Sequence, residues 1–193
     1  SLIALRVPDL MRDPAHLKPA VVFEPTVDEF LNEASTTRSH LVVTTLKHVL
    51  GQAYVFTPAP NDGWTRRALD VPANSTVKIS TTNPLSESFF LKCESFVKPP
   101  SLLEGDAATA NLTERKSQPA LFYVSNEEVQ QFYATSKDGT KVPYFVVHPK
   151  DMKLDGGNPT LLYAYGGFEA SMTPTYSATM GKLWLERGGV YVL

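Results

Sequence analysis

Short alternating runs of apolar and polar residues fill the first 120 positions of the chain and predict β-strands. Polar or proline-containing turns separate these runs, and helical periodicity is weak. The predicted strands are Leu2–Val7, Ala20–Phe23, Leu41–Leu46, Ala53–Thr57, Arg66–Val71, Thr76–Ser80 and Ser88–Val97. Many short strands with regular turns indicate a β-sandwich, a barrel or propeller blades, and no internal repeat decides among the three.

Two segments of this region lack a clear strand pattern. Val27–Ala34 has weak apolar spacing and fits one or two helical turns. Pro99–Gln118 is polar and rich in alanine, serine, threonine and glutamate, a composition typical of connections between elements. We therefore expect a short helical segment at the first position and a long loop or linker at the second.

A different pattern begins after position 120. Gln130–Ser136 and Lys141–His148 alternate between apolar and polar residues and flank the pair Asp138-Gly139. An Asp-Gly pair between two alternating runs is a strong short-range signal for a β-hairpin. We therefore predict two antiparallel strands joined by a tight turn.

The end of the chain predicts a unit of strand, helix and strand. Thr160–Tyr165 is almost wholly apolar, which is typical of a strand buried on both faces of a parallel sheet. Ser177–Arg187 has apolar residues at helical spacing, and the pair Gly188-Gly189 follows it at the C-cap position. The apolar run Val190–Leu193 comes next. Elements in this order form a βαβ unit, so we expect the opening of an α/β sheet.

Composition and charge are those of an ordinary globular protein. Apolar residues make up 42% and charged residues 20% of the 193 positions, which excludes disorder of the whole chain. The net charge is −2 and no basic run stands out, so we expect no nucleic-acid partner. No stretch approaches the roughly 20 consecutive apolar residues of a membrane-spanning helix, so we expect no membrane partner.

Cysteine and histidine usage argues against a metal site. The single cysteine, Cys93, excludes an internal disulfide and a multi-cysteine zinc site, and its strand-like surroundings predict a small buried hydrophobe. The histidines are dispersed, and we expect each to be structural or exposed: His16, His40, His48 and His148. We therefore expect no metal and no cofactor.

The two ends of the chain are unusual for a complete domain. The chain begins with serine rather than methionine and ends on an apolar run with no polar or turn residue after it. Natural domain ends usually lie exposed and polar. We therefore expect a piece of a longer protein that stops within a buried strand.

The run Tyr163–Phe168 carries the most information about function. It includes the end of the predicted apolar strand, and ligands of open α/β sheets bind beyond the carboxyl ends of the strands. Its adjacent glycines, Gly166 and Gly167, let the backbone approach a ligand closely. Composition alone does not separate such a ligand-binding loop from a plain turn.

Five motifs lie between positions 120 and 193: Phe132–Pro143, Lys153–Gly156, Tyr163–Phe168, Met172–Ser177 and Arg187–Val190. In their order and spacing these motifs resemble the prolyl oligopeptidase family of serine peptidases. Upstream, the resemblance is confined to the β-rich pattern and the segment Val22–Pro25. The family's architecture is a seven-bladed β-propeller that caps an α/β-hydrolase domain.

The resemblance implies a mixed fold in two incomplete parts. Residues 1–120 are expected to form the C-terminal blades of a β-propeller. Residues 121–193 are expected to form the first strands and helix of an α/β-hydrolase sheet, truncated before the nucleophile. Open sheet edges in both parts lead us to expect self-association of the isolated chain.

The resemblance also implies roles for four residues of the loop. Tyr165 matches the family's tyrosine that donates to the oxyanion, and Phe168 matches the phenylalanine that lines the pocket for the substrate's proline ring. Gly166 and Gly167 are expected to shape the loop. The 193 residues contain no Gly-x-Ser-x-Gly motif, so the nucleophile and its triad partners are expected to lie outside them.

The implied parent protein is a serine peptidase that hydrolyses short peptides on the carboxyl side of proline, in the cytoplasm or alternatively the periplasm. The isolated chain is expected to be inactive because it lacks the triad. One alternative is an oligopeptidase that prefers basic or acylaminoacyl substrates. Another is a non-catalytic β-rich binding module.

Overall fold

The computed structural model describes residues 1–61, 63–123, 125–168 and 170–193. Within these ranges the chain forms one two-stranded sheet and three four-stranded sheets, together with two short α-helices and a 3₁₀ turn. Most strands are antiparallel and follow one another in chain order. None of the helices in the described ranges is long and apolar enough to cross a membrane.

The two-stranded sheet lies at the beginning of the chain. It pairs β1 (Leu2–Ala4) with β2 (Ala20–Phe23) in antiparallel fashion, and the short helix α1 (Val7–Arg12) connects them. The predicted strand Leu2–Val7 is therefore shorter than expected. A proline in the first turn of α1 favours a helix start, since its fixed φ suits that position and its missing N–H is not needed there.

The first sheet consists of β3 (Glu29–Thr36), β4 (Leu41–Lys47), β5 (Leu50–Pro58) and β6 (Trp64–Ala68). The expectation of helical turns at Val27–Ala34 was wrong, because most of that segment is in β3. Its residues alternate strictly between inward and outward positions. The inward positions include the polar residues Glu29, Glu33 and Ser35, which removed the apolar alternation that identifies a strand.

The second sheet consists of β7 (Thr76–Thr82), β8 (Ser88–Glu94), β9 (Ser101–Asp106) and β10 (Asn111–Ser117). The expectation of a loop at Pro99–Gln118 was therefore also wrong, because this segment contains β9 and β10. The buried positions of β9 are Ser101, Leu103 and Gly105, so its buried face carries one large apolar residue and lacks a clear strand pattern. A side chain at Gly105 would overlap the buried ring of Phe89, so a glycine is required there.

The first and second sheets pack face to face around a shared apolar core. The first sheet contributes Val42, Ala53 and Val55, and the second contributes residues that include Val77, Phe89, Leu91, Cys93 and Leu103. The prediction that Cys93 is a buried hydrophobe is confirmed. Its burial raises the pKa of the Cys93 thiol to about 11, which leaves the sulfur unreactive.

A carboxylate whose side chain is only 10% accessible links the turns of these two sheets. Glu87 lies before β8, and its Oε2 atom accepts from Thr37 Oγ1 over 2.6 Å and lies 2.9 Å from His40 Nδ1. Burial opposes ionisation of Glu87, but the hydrogen bonds from Thr37 and His40 outweigh it and lower the pKa from 4.5 to about 2. The ionised form of Glu87 therefore stabilises the contact between the sheets.

We expect acid to weaken this contact. Because the pKa of Glu87 is lowered by folding, its stabilising effect is complete above about pH 4.5 and is lost as pH falls toward about 2. The melting temperature of the wild-type protein should fall more between pH 5 and pH 3 than that of Glu87→Gln. Glu104→Gln is the control and should show the pH dependence of wild type. Glu104 forms an exposed ion pair with Arg115, and such pairs contribute little to stability. Equal pH dependence in wild type and Glu87→Gln would contradict the expectation.

The third sheet has the strand order β11 (Glu127–Thr135), β12 (Lys141–Pro149), β14 (Val190–Val192) and β13 (Thr160–Leu162). The predicted hairpin is confirmed, since β11 and β12 are antiparallel and Thr135 opposes Lys141 across the turn. Gly139 in that turn has φ of 88°, a conformation that glycine adopts readily.

The predicted βαβ unit is also confirmed, since β13 and β14 are parallel and α2 (Ala178–Leu183) lies between them in the chain. The Ser177 hydroxyl caps α2 by accepting from the N–H of Met180 over 3.2 Å. A 3₁₀ turn, Leu185–Arg187, ends at Gly188, which has the left-handed conformation expected at a C-cap.

One expectation about the third sheet was wrong. The strand at Thr160–Tyr165 is confined to β13 and is exposed rather than buried, with Leu162 73% accessible. It forms one edge of the sheet. Its apolar residues therefore lack covering elements within the described part of the chain. Self-association through such edges stays a prediction.

Candidate functional site

The candidate site is the loop that follows β13. Hydrogen bonding to β14 continues one residue beyond this strand, since the N–H of Tyr163 donates to the carbonyl of Val192 over 2.9 Å. Tyr165 comes two residues later and is 47% accessible. The structure therefore has an exposed phenol at the carboxyl end of a parallel strand, where ligands of α/β sheets bind.

The two glycines of the loop differ in their surroundings. A side chain at Gly167 would place Cβ 2.9 Å from Oη of Tyr165 and 3.2 Å from its Cζ atom. Gly167 thus leaves room for the phenol to fold back over the loop. A side chain at Gly166 would meet no atom of the described structure within 4 Å, so space does not require a glycine there.

Phe168 follows Gly167 in the loop and is fully exposed. Its side chain is 97% accessible, so it is free to contact a ligand but is not part of an enclosed pocket within the described residues. Its φ of 56° is in the left-handed region, which costs a residue with a β-carbon of the order of 1–3 kcal/mol. Such local strain is common in loops that bind ligands.

A cavity of about 290 Å³ lies beside the loop. Tyr165 and Met172 line it from the loop, Tyr144 lines it from β12, and Val49 lines it from the turn between β4 and β5. The first sheet therefore reaches the neighbourhood of Tyr165, although its turn lies more than 100 positions earlier in the chain.

The turn that carries Val49 is docked on the hairpin of the third sheet. Its central residues, His48 and Val49, have φ of 50° and 59°, the signs expected for a two-residue type I′ turn. The carbonyl of His48 accepts from Nε2 of Gln131 over 2.6 Å, and its ring meets the edge of Tyr133 at a centroid distance of 5.5 Å. Nε2 of His48 also lies 3.1 Å from Oδ2 of Asp28, and a structural role for His48 stays a prediction.

The other histidines are dispersed, as predicted. His16 contacts Asp13 on the surface, His40 contacts Glu87 between the sheets, and His148 is buried beside the carbonyl of Pro149. In the part of the chain that the structure describes, no three His, Cys, Asp or Glu residues are grouped to hold a metal ion. The absence of a cofactor stays an expectation.

Sequence patterns missed the residues that surround the loop from other sheets. Thr76 Oγ1 donates to the carbonyl of Pro174 over 2.6 Å, and Glu94 accepts from the N–H of Tyr176 over 3.1 Å. These contacts join residues 98 and 82 positions apart. No local pattern signals such partners, because they are far apart in the chain and meet only when the sheets have packed.

Consecutive four-stranded antiparallel sheets packed face to face are the blades of a β-propeller, here followed by a sheet with an exposed tyrosine loop. The family model described as "Prolyl oligopeptidase, N-terminal beta-propeller domain" matches residues 6–118. The chain therefore belongs to the prolyl oligopeptidase family, as the resemblance predicted.

Individual relatives agree with this assignment. "Uncharacterized peptidase y4nA" of Sinorhizobium fredii is 43% identical over 193 residues, which is 100% of this chain and 26% of that protein. A prolyl endopeptidase of Elizabethkingia meningoseptica is 27% identical over 161 residues, 83% of this chain and 22% of that protein. The structure of a post-proline cleaving enzyme from Rickettsia typhi matches with a TM-score of 0.80 and 33% identity, over 100% of this chain and 28% of that one.

The chain spans about a quarter of the length of the curated relatives it matches. Both of these relatives are peptidases by name.

Proposed function

We propose that the chain contributes to a serine peptidase that cleaves short peptides on the carboxyl side of proline. In this proposal residues 1–120 are the last blades of the propeller, and residues 121–193 are the first strands and helix of an α/β-hydrolase domain. The observation that carries the proposal is the exposed Tyr165 at the carboxyl end of a parallel strand, in a chain whose family is known.

Tyr165 is proposed to donate its hydroxyl proton to the oxyanion of the tetrahedral intermediate. Acyl transfer turns the carbonyl oxygen of the scissile bond into an anion, and a fixed donor stabilises that charge. A phenol just beyond a strand end suits this task because the sheet fixes the backbone as far as Tyr163, and Tyr165 itself lines the cavity beside the loop. Gly167 supports the arrangement by leaving space for the ring.

Phe168 is proposed to contact the proline ring of the substrate. Its exposed ring offers a flat apolar surface, and a proline side chain is compact, apolar and free of hydrogen-bond donors. Packing of the two rings against each other would remove apolar surface from water and so contribute to substrate binding. The names of the relatives given above support proline as the preferred residue.

The nucleophile is proposed to lie outside these residues, because no Gly-x-Ser-x-Gly motif occurs among them. The isolated chain would then have no activity, and peptides would be bound and cleaved only by the longer protein. An oligopeptidase of basic or acylaminoacyl specificity is the alternative within the same fold. A non-catalytic binding module is the alternative outside it.

A panel of chromogenic peptides tests the substrate class. The full-length protein is assayed with peptides that are identical except for proline, arginine or alanine before the chromophore, and with an N-acetylated amino acid derivative. We expect kcat/KM for the proline peptide to exceed the others by about 10- to 200-fold, the range that apolar pocket contacts supply. A preference for arginine or for the acetylated substrate would replace the proposal by the first alternative. Absence of hydrolysis of every substrate by folded protein would favour the binding module.

A further inference from the structure

Thr76 and Glu94 form a cross-strand pair at one end of the second sheet. Thr76 is the first residue of β7 and Glu94 is the last residue of β8, and the two lie directly opposite each other in the antiparallel register. Thr76 is buried and Glu94 is half-buried. Since neighbouring strands hold both backbones, the two side chains form a rigid pair of polar groups.

Both side chains bind the backbone of the segment that leads from the Tyr165 loop to α2. Thr76 donates to the carbonyl of Pro174, which is itself fully buried, and Glu94 accepts from the N–H of Tyr176. The two backbone groups belong to residues two positions apart, the spacing at which an extended chain presents its groups to the same side. The cross-strand pair and the segment therefore match each other in geometry.

The hydrogen bonds of Thr76 and Glu94 anchor the C-terminal end of the loop. At its N-terminal end, the N–H of Tyr163 donates to the carbonyl of Val192. An internal turn follows, in which the N–H of Ala170 donates to the carbonyl of Gly167 over 3.1 Å. In the described part of the loop, the next backbone hydrogen bond to another element is the one from Thr76 to Pro174.

We propose that Thr76 and Glu94 of the propeller are positioning residues for Tyr165. They fix the end of the loop at Pro174 and Tyr176, so that the Tyr165 hydroxyl is held in place before the substrate arrives. Preorganisation of this kind determines how much a donor lowers a barrier, because no free energy is then spent on ordering it during the reaction. The inference rests on the proposed role of Tyr165 and extends it to a different domain of the protein.

The test compares Thr76→Val with Thr76→Ser in the full-length protein. Valine keeps the size and branching of threonine but cannot donate to Pro174, whereas serine keeps the hydroxyl. With a chromogenic proline peptide, we expect Thr76→Val to lower kcat by about tenfold with KM within about twofold, which corresponds to about 1.4 kcal/mol of transition-state stabilisation. Thr76→Ser should remain within about twofold of wild type in both constants.

The same substitution in a Tyr165→Phe background separates positioning from general damage. If Thr76 acts through the Tyr165 hydroxyl, Thr76→Val should cause no further loss of kcat once that hydroxyl is absent. An equal loss in both backgrounds, or an unchanged kcat in the wild-type background, would overturn the inference. A full effect of Tyr165→Phe alone would leave the proposed function standing in either case.

Amide hydrogen exchange provides a readout that does not depend on activity. Thr76→Val should speed exchange in residues 163–168 and 170–173, whereas Thr76→Ser should not. Unchanged exchange in the valine variant would overturn the inference even if the proposed function failed. If Thr76→Val does not fold, Glu94→Ala and Glu94→Gln test the second anchor in the same way. Glutamine at position 94 can still accept from the N–H of Tyr176 but loses the ion pair with Lys92, whose Nζ lies 3.2 Å from Glu94 Oε1. If Glu94→Gln behaves like wild type, the effect of Glu94→Ala comes from the lost hydrogen bond to Tyr176 and not from the lost ion pair.

Discussion

Replacing Tyr165 by phenylalanine in the full-length protein should lower kcat by about 10²–10³-fold, the usual effect of removing one oxyanion donor. The substitution keeps the ring, whose Cζ and Cε1 atoms lie next to Gly167, and removes only the hydroxyl. KM should change little, because the donor acts on charge that develops fully only in the transition state. Steady-state kinetics with a chromogenic proline peptide measure both constants.

Tyr163→Phe is the matched control for this experiment. Tyr163 lines the same cavity as Tyr165, and the two side chains are similarly accessible, at 48% and 47%. Its hydroxyl has no assigned role, so its removal should leave kcat within about threefold of wild type. If Tyr165→Phe turned over substrate at the wild-type rate, or if both variants lost activity equally, Tyr165 would not be the oxyanion donor.

Truncation of Phe89 to alanine should be the most destabilising change in the propeller part, by about 3–5 kcal/mol. Phe89 lies in β8 with 0% of its surface accessible, and it belongs to the core shared by the first and second sheets. Its ring occupies the space above Gly105, so the glycine cannot fill the cavity that the substitution leaves. Urea unfolding of the full-length protein, followed by tryptophan fluorescence and circular dichroism, measures the loss.

Phe30→Ala is the control for this loss of stability. Phe30 also lies in a strand, β3, but its side chain is 55% accessible. Its truncation should cost less than about 1 kcal/mol, because most of its surface is in water in the folded state too. Similar losses for both variants would show that the packing of Phe89 between the sheets does not determine stability.

The strands that sequence patterns predicted well are those with one clearly apolar face. β4, β5 and β8 carry alternating or continuous apolar residues, and each forms near its predicted position. The strands that the patterns missed lack this face. In β3 the inward polar residues are hydrogen-bonded to the second sheet: Glu33 accepts from the N–H of Ile79, and Ser35 bonds to Thr82. Because these polar groups have partners, a strand can form there without an apolar face.

The candidate site shows a similar division. One run of six residues and its resemblance to a family point to Tyr165, Gly166, Gly167 and Phe168. Their roles remain proposals, and the structure adds that Gly167 lies against the end of the Tyr165 side chain, whereas a Cβ at Gly166 would have no neighbour within 4 Å in the described structure. Val49, the anchors Thr76 and Glu94, and the exposure of β13 were not predicted.

The amino-acid sequence was sufficient for the family, the hairpin, the βαβ unit and the loop with Tyr165, because local patterns and short motifs carry that information. The folded chain was needed to show which blade residues hold the loop. A hydrogen bond between Thr76 and Pro174 spans 98 positions, and its formation depends on how whole sheets pack rather than on the residues next to either partner. For the same reason the sequence did not show that β13 lies at an edge of the sheet, since this depends on which strands pair with it.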